Sequence, residues 1–278
     1  RTKKTNLIGV IVPKISSETP ARIVEGITEV LSPNGYDILI ANTNLDIEKE
    51  LEYLNIFKYN QVDGIIFMAT KITDKHIEIM NNLEVPIVIV AQDIEGFSSV
   101  FFNEFNATSD ITKCVIEKGH KNIGFIGVYE DDKAVGLYRK EAYIKTLKEN
   151  DIKVVEENIK IGDFNESSGY ILAKELMEGN DKPTAIVAVT DNLALGAIKY
   201  LREENYRIPE DVAVVGMGDS RISRFITPSL TTVHYHYKTA GKRSGEIVLR
   251  KLNTINKMGK SNNEKVELDC LLVERNSI

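Results

Sequence analysis

The chain has 278 residues, 42% hydrophobic and 27% charged, the balance of a soluble globular protein long enough for two domains. Its net charge of −6 argues against a segment that grips a phosphate backbone unaided, which takes clustered Lys and Arg. No apolar run approaches the roughly 20 residues of a membrane helix, and no hydrophobic leader precedes the first strand-like run.

Residues 1–5 read as a linker remnant, whose Arg1, Lys3 and Lys4 form a short basic cluster of the solvated kind. The start, without an initiator methionine, is that expected of a fragment. Leu7–Val12 is a continuous apolar run, as a strand covered on both faces requires. Ala21–Leu31 is helix-like and stops at Pro33-Asn34-Gly35. Tyr36–Ala41 reads as strand, Ile47–Tyr59 as helix and Gly64–Met68 as strand. Asp74–Leu83 is helical with Asp74 as its candidate cap, and Pro86–Val90 is a strand. Cys114 lies in a helix-like run.

The pattern restarts at Asn122–Gly127, a buried strand, followed by helix Tyr138–Lys148, strand Asn158–Ile161 and helix Ser167–Met177. Strand Ala185–Val189, helix Leu193–Glu203 and strand Val212–Val215 continue it. At an offset of about 116 residues Asn6 meets Asn122, Glu25 meets Glu141 and Leu31 meets Leu147, which suggests a duplicated unit. A long helix, Lys238–Leu252, a polar stretch to Lys265 and a strand, Val266–Val273, close the chain. Within that stretch, Asn256–Glu264 has the composition of a mobile loop. Repeated β-α units predict an α/β protein with parallel sheets and right-handed crossovers.

In such sheets ligands sit beyond the carboxyl ends of the strands. Thr190-Asp191-Asn192-Leu193 follows a buried strand directly, so Asp191 could accept hydroxyl hydrogen bonds or cap the next helix. Met68 and Gln92 stand just past two strands of the first half, although Met68 could equally be core filler. Arg139 opens a helix of the second half; its fork of donors suits paired hydroxyls or a carboxylate, and the alternative is a surface arginine paired with Glu141 or Asp131.

Catalytic signals are scarce. Gly216-x-Gly218 lacks the third glycine of a dinucleotide loop and comes too late in the chain, and there is no phosphate loop or Gly-x-Ser-x-Gly elbow. His234 and His236 alternate along an extended segment, poor geometry for one metal, and fit a structural or hinge role. His120 reads as a helix-end residue. Two cysteines, Cys114 and Cys270, make no disulfide framework and are expected as buried thiols, which favours a reducing, cytoplasmic setting. Neither enzymatic activity nor a metal or cofactor is expected.

Several blocks in order resemble the LacI/GalR family of bacterial sugar-responsive regulators. They are Asn6-Leu7-Ile8-Gly9-Val10-Ile11-Val12-Pro13, Val62-Asp63-Gly64-Ile65-Ile66, Lys118-Gly119-His120-Lys121-Asn122-Ile123-Gly124-Phe125-Ile126-Gly127, the Asp191 segment, Thr227-Pro228-Ser229-Leu230-Thr231-Thr232-Val233 and Leu272-Val273-Glu274-Arg275-Asn276-Ser277. The resemblance implies two similar lobes, each a parallel sheet flanked by helices, joined by a multi-strand hinge as in periplasmic binding proteins. The lobes would be residues 6–103 with 236–260 and residues 104–235 with 264–278. It implies a small sugar in the interlobe cleft, a homodimer, and operator DNA bound through an N-terminal helix-turn-helix headpiece absent from this chain. Subunit contacts would fall on Asp74–Leu83 and Ser220–Leu230.

By the same resemblance Ser17, Thr19 and Ile23 would face the cleft, although Ser17 or Thr19 could instead cap a helix. Thr19-Pro20 replaces the family's aromatic pair, and Phe164 stands where an aromatic often stacks on the ligand, with core packing as the alternative. Thr190 replaces a usual asparagine. Gly218 replaces the first of two aspartates and leaves Asp219; Tyr235 falls near the last crossover. The other reading of this architecture is a solute-binding protein of a sugar transport system.

Overall fold

A computed structural model describes residues 4–258 and 262–278. In chain order the elements are β1 (Leu7–Val12), α1 (Glu18–Leu31), β2 (Asp37–Asn42), α2 (Ile47–Tyr59), β3 (Gly64–Met68), α3 (Asp74–Asn81), β4 (Ile87–Val90), β5 (Ser98–Phe102) and α4 (Glu104–Glu117). There follow β6 (Ile123–Val128), α5 (Arg139–Glu149), β7 (Ile159–Gly162), α6 (Glu166–Met177), β8 (Ala185–Ala188), α7 (Asp191–Glu203), β9 (Ala213–Met217), β10 (Thr231–Tyr235), α8 (Tyr237–Met258), β11 (Lys265–Leu268) and β12 (Cys270–Val273). A π-helical turn, Lys133–Tyr138, leads into α5.

The chain forms two compact units. Residues through Phe102 and those of His236–Leu268 make the first; Asn103–Tyr235 and Asp269–Ile278 make the second. The first unit holds a six-stranded sheet in the order β11-β5-β4-β3-β1-β2, with parallel pairing throughout. The second repeats it as β12-β10-β9-β8-β6-β7, with β12 antiparallel to β10. The central strands β3, β6, β8 and β9 are buried at every position, the physical reason for their unbroken apolar runs.

In each unit two helices meet through glycine. A Cβ on Gly241 of α8 would lie 2.0 Å from the Ile23 carbonyl of α1, and one on Gly196 of α7 would lie 2.0 Å from the Glu166 carbonyl of α6. Side chains there would hold the helix backbones apart.

Several expectations are corrected. The run Val266–Val273 is not one strand: it breaks at Asp269 into β11, in the first sheet, and β12, in the second. The third passage of the chain between units therefore falls at Leu268–Asp269, later than the residue 264 expected from the resemblance. Asp74 does not cap α3; Thr73 does, in a capping box closed by the His76 ring. Asp191 does not cap α7 either, because the Thr190 hydroxyl accepts from the Leu193 amide. Cys114 is buried but Cys270 is only half-buried. Of the basic cluster, Lys4 sits over the Tyr36 ring, while Arg1 and Lys3 lie outside the described residues. The expected mobile loop Asn256–Glu264 falls partly outside them too.

Candidate functional site

The carboxyl ends of the second sheet carry the densest polar network. Arg139, placed by the π-helical turn at the start of α5, is only 3% exposed. It is not a surface arginine: its Nε and Nη2 donate to Glu104 Oε2 at 2.8 and 2.7 Å. Its Nη1 donates to the Val189 carbonyl at the end of β8. Tyr235, the last residue of β10, donates its hydroxyl to the same Glu104 oxygen at 2.7 Å and lays its ring 5.0 Å from the guanidinium. Burial pushes the Glu104 carboxyl above its ordinary range, and the Arg139 charge opposes that shift.

A second knot surrounds Asp191, whose carboxylate turns away from its helix. Thr232 Oγ1 donates to Oδ1 at 2.5 Å and the Ser220 amide donates to Oδ2 at 2.6 Å. Burial is the leading cause of its raised carboxyl pKa. Gly216 makes room for it, since a Cβ there would stand 2.6 Å from Asp191 Oδ1. The same Thr232 oxygen accepts from the Asp219 amide at 3.2 Å.

Asp219 closes the network. Arg224 Nη2 and His234 Nδ1 meet its Oδ2 at 2.7 and 2.8 Å, and Arg275 binds Oδ1. Burial alone would raise this carboxyl, but the hydrogen bonds from Arg224, Arg275 and His234 outweigh it and hold the group well below the usual carboxylate range. The residue before it, Gly218, has φ +141°, a backbone conformation that glycine adopts without strain. An aspartate there would be strained, which gives this chain's departure from the two-aspartate pattern a local physical reason. His120, expected at a helix end, contacts Thr184 Oγ1 through Nδ1 at 3.0 Å.

Arg139, Thr190, Asp191, Asp219 and Tyr235 are thus gathered around β8, β9 and β10. Phe164 is half-buried in the turn between β7 and α6. In the first unit Ser17 takes the N-cap position of α1 without a side-chain cap bond, and Thr19 follows half-buried. Ile23 is 2% exposed, on the turn of α1 that packs against Gly241, a core position. Met68 is buried at the end of β3; Gln92, beyond β4, donates to the Thr70 carbonyl at 3.0 Å. Sequence reasoning missed Glu104, Thr232, Ser220, Arg224 and Arg275. Their partners are 5 to 131 positions away, separations that no periodicity reveals.

The model of the periplasmic binding protein-like domain matches residues 112–278. The sucrose operon repressor of Staphylococcus xylosus is 33% identical over 253 residues, spanning 91% of this chain and 77% of the relative. The chain belongs to the LacI/GalR family. The HTH-type transcriptional repressor PurR of Pectobacterium carotovorum is 30% identical over 285 residues, covering all of this chain and 81% of its own. Among solved structures, the transcription regulator CcpA of Lactococcus lactis superposes with a TM-score of 0.89 at 26% identity, covering 99% of both chains. These relatives are transcriptional regulators, so this LacI/GalR chain is an effector-binding domain, and the transport-protein reading is not favoured. Among the described residues no helix is long and apolar enough to cross a membrane.

Proposed function

We infer that this LacI/GalR chain senses a small sugar and couples its binding to operator DNA through a helix-turn-helix on the same regulator. The observation that carries this reading is the network of Arg139, Asp191 and Asp219 at the carboxyl ends of β8 and β9, within a chain of this family. Sugar recognition is favoured by two names: a ribose-bound LacI-family regulator of Enterococcus faecium is among the structural neighbours, and the S. xylosus relative is a sucrose operon repressor. Ser17, Thr19, Met68 and Gln92 supply the first unit's side, with Phe164 as the stacking ring of the second. The effector biases a hinge between two arrangements, which requires unequal affinity for the two. The protein acts in the cytoplasm and turns over no substrate.

Thermal unfolding against a panel of sugars, sugar phosphates, purines and amino acids tests the reading. A cognate effector at a hundredfold excess over its Kd stabilises the fold by about 2.7 kcal/mol. Phe164→Ala should weaken that effector about tenfold while leaving the ligand-free midpoint within a few degrees, because the ring is only half-buried. A panel that shifts nothing would overturn the sugar assignment.

The homodimer belongs to the same reading. Phe225 (74% exposed) and Ile222 are exposed apolar residues of Ser220–Leu230, whose Ile226 lines a groove with Leu195, Ile198, Lys199, Arg202 and Glu203. Exposed apolar side chains of that kind suit an interaction site, which supports Ser220–Leu230 as the subunit contact.

A further inference from the structure

Asp63, in one of the blocks that carry the family resemblance, belongs to the first unit and lies outside the network of the second. It stands just before β3, at the amino end of the first sheet, and holds the chain just before β1. The Thr5 amide donates to Asp63 Oδ1 at 3.1 Å and the Asn6 amide to Oδ2 at 2.8 Å, one oxygen for each of two successive N–H groups. Successive amides of this kind cradle an anion, which here is a side chain of the same unit. The Thr5 hydroxyl is shared between Oδ1, at 3.2 Å, and the Gln61 carbonyl, at 2.9 Å. Main-chain bonds close the corner. The Asp63 amide donates to the Leu7 carbonyl at 2.8 Å, and the Asp37 amide of β2 donates to the Asn6 carbonyl at 2.9 Å. One residue further back, Lys4 lies 4.7 Å from the centre of the Tyr36 ring.

The backbone and the strands both bear on what this corner does. Asn6 and Gln61 have left-handed backbone, with φ of +56° and +54°, which non-glycine residues keep only where their surroundings fix it. The corner is also stiffly joined to the opposite end of the sheet, because β1 and β3 pair directly in parallel and are buried at nearly every position. The two strands that meet the clamp at their amino ends lead, about 15–20 Å away, to Ser17 and Met68 of the proposed effector site.

We propose that Asp63 is a positioning residue for DNA binding: its carboxylate fixes the direction in which the segment before Thr5 leaves the first unit, so that this segment moves with β1 and β3 as one body. The proposal rests on the reading that a helix-turn-helix ahead of Thr5, on the same regulator, contacts operator DNA. A recognition helix must enter the groove in one orientation. A swivel at Thr5–Asn6 would spread it over many, and the apparent Kd would rise as the inverse of the fraction that still points correctly.

Two measurements on Asp63→Asn test this. The substituted side chain keeps its size but has one acceptor oxygen, so its NH2 group meets one of the two N–H donors. In this chain, amide hydrogen exchange at Thr5 and Asn6 should quicken about tenfold, while Val10, fully buried in β1, exchanges as before and the thermal midpoint stays within a few degrees. In the regulator carrying its helix-turn-helix, affinity for a duplex that the wild type selects from a random-sequence library should fall about tenfold, the mark of a competent fraction cut to a tenth. Thr5→Val keeps both amides and should stay within about twofold of wild type in both measurements. If Asp63→Asn does not fold, Thr5→Pro removes one of the two amides from the other side and should give the same change at Asn6 and the same loss of affinity. Unchanged exchange at Thr5 and Asn6 would overturn the clamp. An equal loss in Thr5→Val would move the effect to the hydroxyl and overturn the part given to the carboxylate. A wild-type regulator that selects no duplex would overturn the operator reading and this role with it, whereas a selected duplex that Asp63→Asn binds equally well would overturn this role alone.

Discussion

At the scale of single residues, the second unit depends on carboxylates held by internal donors. Asp219 is the clearest case, with two guanidiniums and an imidazole on one nearly buried group. Removing one member of a buried pair strands its partners, although Arg224 is half in solvent and contributes less. Asp219→Asn should therefore cost about 2–3 kcal/mol in urea unfolding at pH 7. The pH dependence has a definite sign. The folded carboxyl titrates below that of an unfolded aspartate, near 3.9, so its stabilisation is whole above about pH 4 and is lost as pH falls below it. Asp219→Asn should flatten that acid limb, and an unchanged slope between about pH 4 and 2 would contradict the assignment. Much of this chemistry was not legible in the sequence. Asp191 stands out because it follows a strand directly, and Arg139 because it opens a helix. Glu104 sits behind the Asn103 cap, where an acid in the first turn of a helix is ordinary, and only the fold brings it to residues 35 and 131 positions away.

At the scale of elements, continuous apolar runs disclosed the central strands because both faces of each sheet are covered. The strand β5 escaped for the opposite reason. Ser98 and Ser99 break the apolar pattern, yet both are fully buried, their hydroxyls accepting from the Glu264 and Ile94 amides. The β11–β12 break was equally hidden, since its neighbours on either side are both strand formers and only their partners in different sheets separate them. Helix packing carries its own prediction. Gly241→Ala would place a methyl group 2.0 Å from a backbone carbonyl that cannot move without its helix. It should cost at least about 1–3 kcal/mol by denaturant titration, as overpacking does. Gly35→Ala, at an open turn with φ +77°, tests backbone strain alone and should cost about 1 kcal/mol.

At the scale of the whole molecule, two sheets of matching order on one chain make the duplication suggested by the 116-residue offset visible as architecture. The proposed dimer can be tested without disturbing the effector network, because Phe225 is exposed. Phe225→Asp should reduce the mass seen by sedimentation velocity at micromolar concentration from two chains to one, with the effector-induced thermal shift retained. A variant of unchanged mass would remove this groove from the interface.

The helix α8 has a consequence for how the protein is made. Its Gly241 docks on α1, yet more than two hundred residues of chain separate it from Gly26 there. At 5–20 residues per second a ribosome delivers it about 10–40 s after α1 has emerged. Through that interval the first unit lacks both α8 and β11, while the whole of Asn103–Tyr235 is synthesised and emerges. The nascent chain thus completes its first unit only at Leu268, after most of the second has been made, and the waiting apolar face of α1 is where a chaperone would be needed.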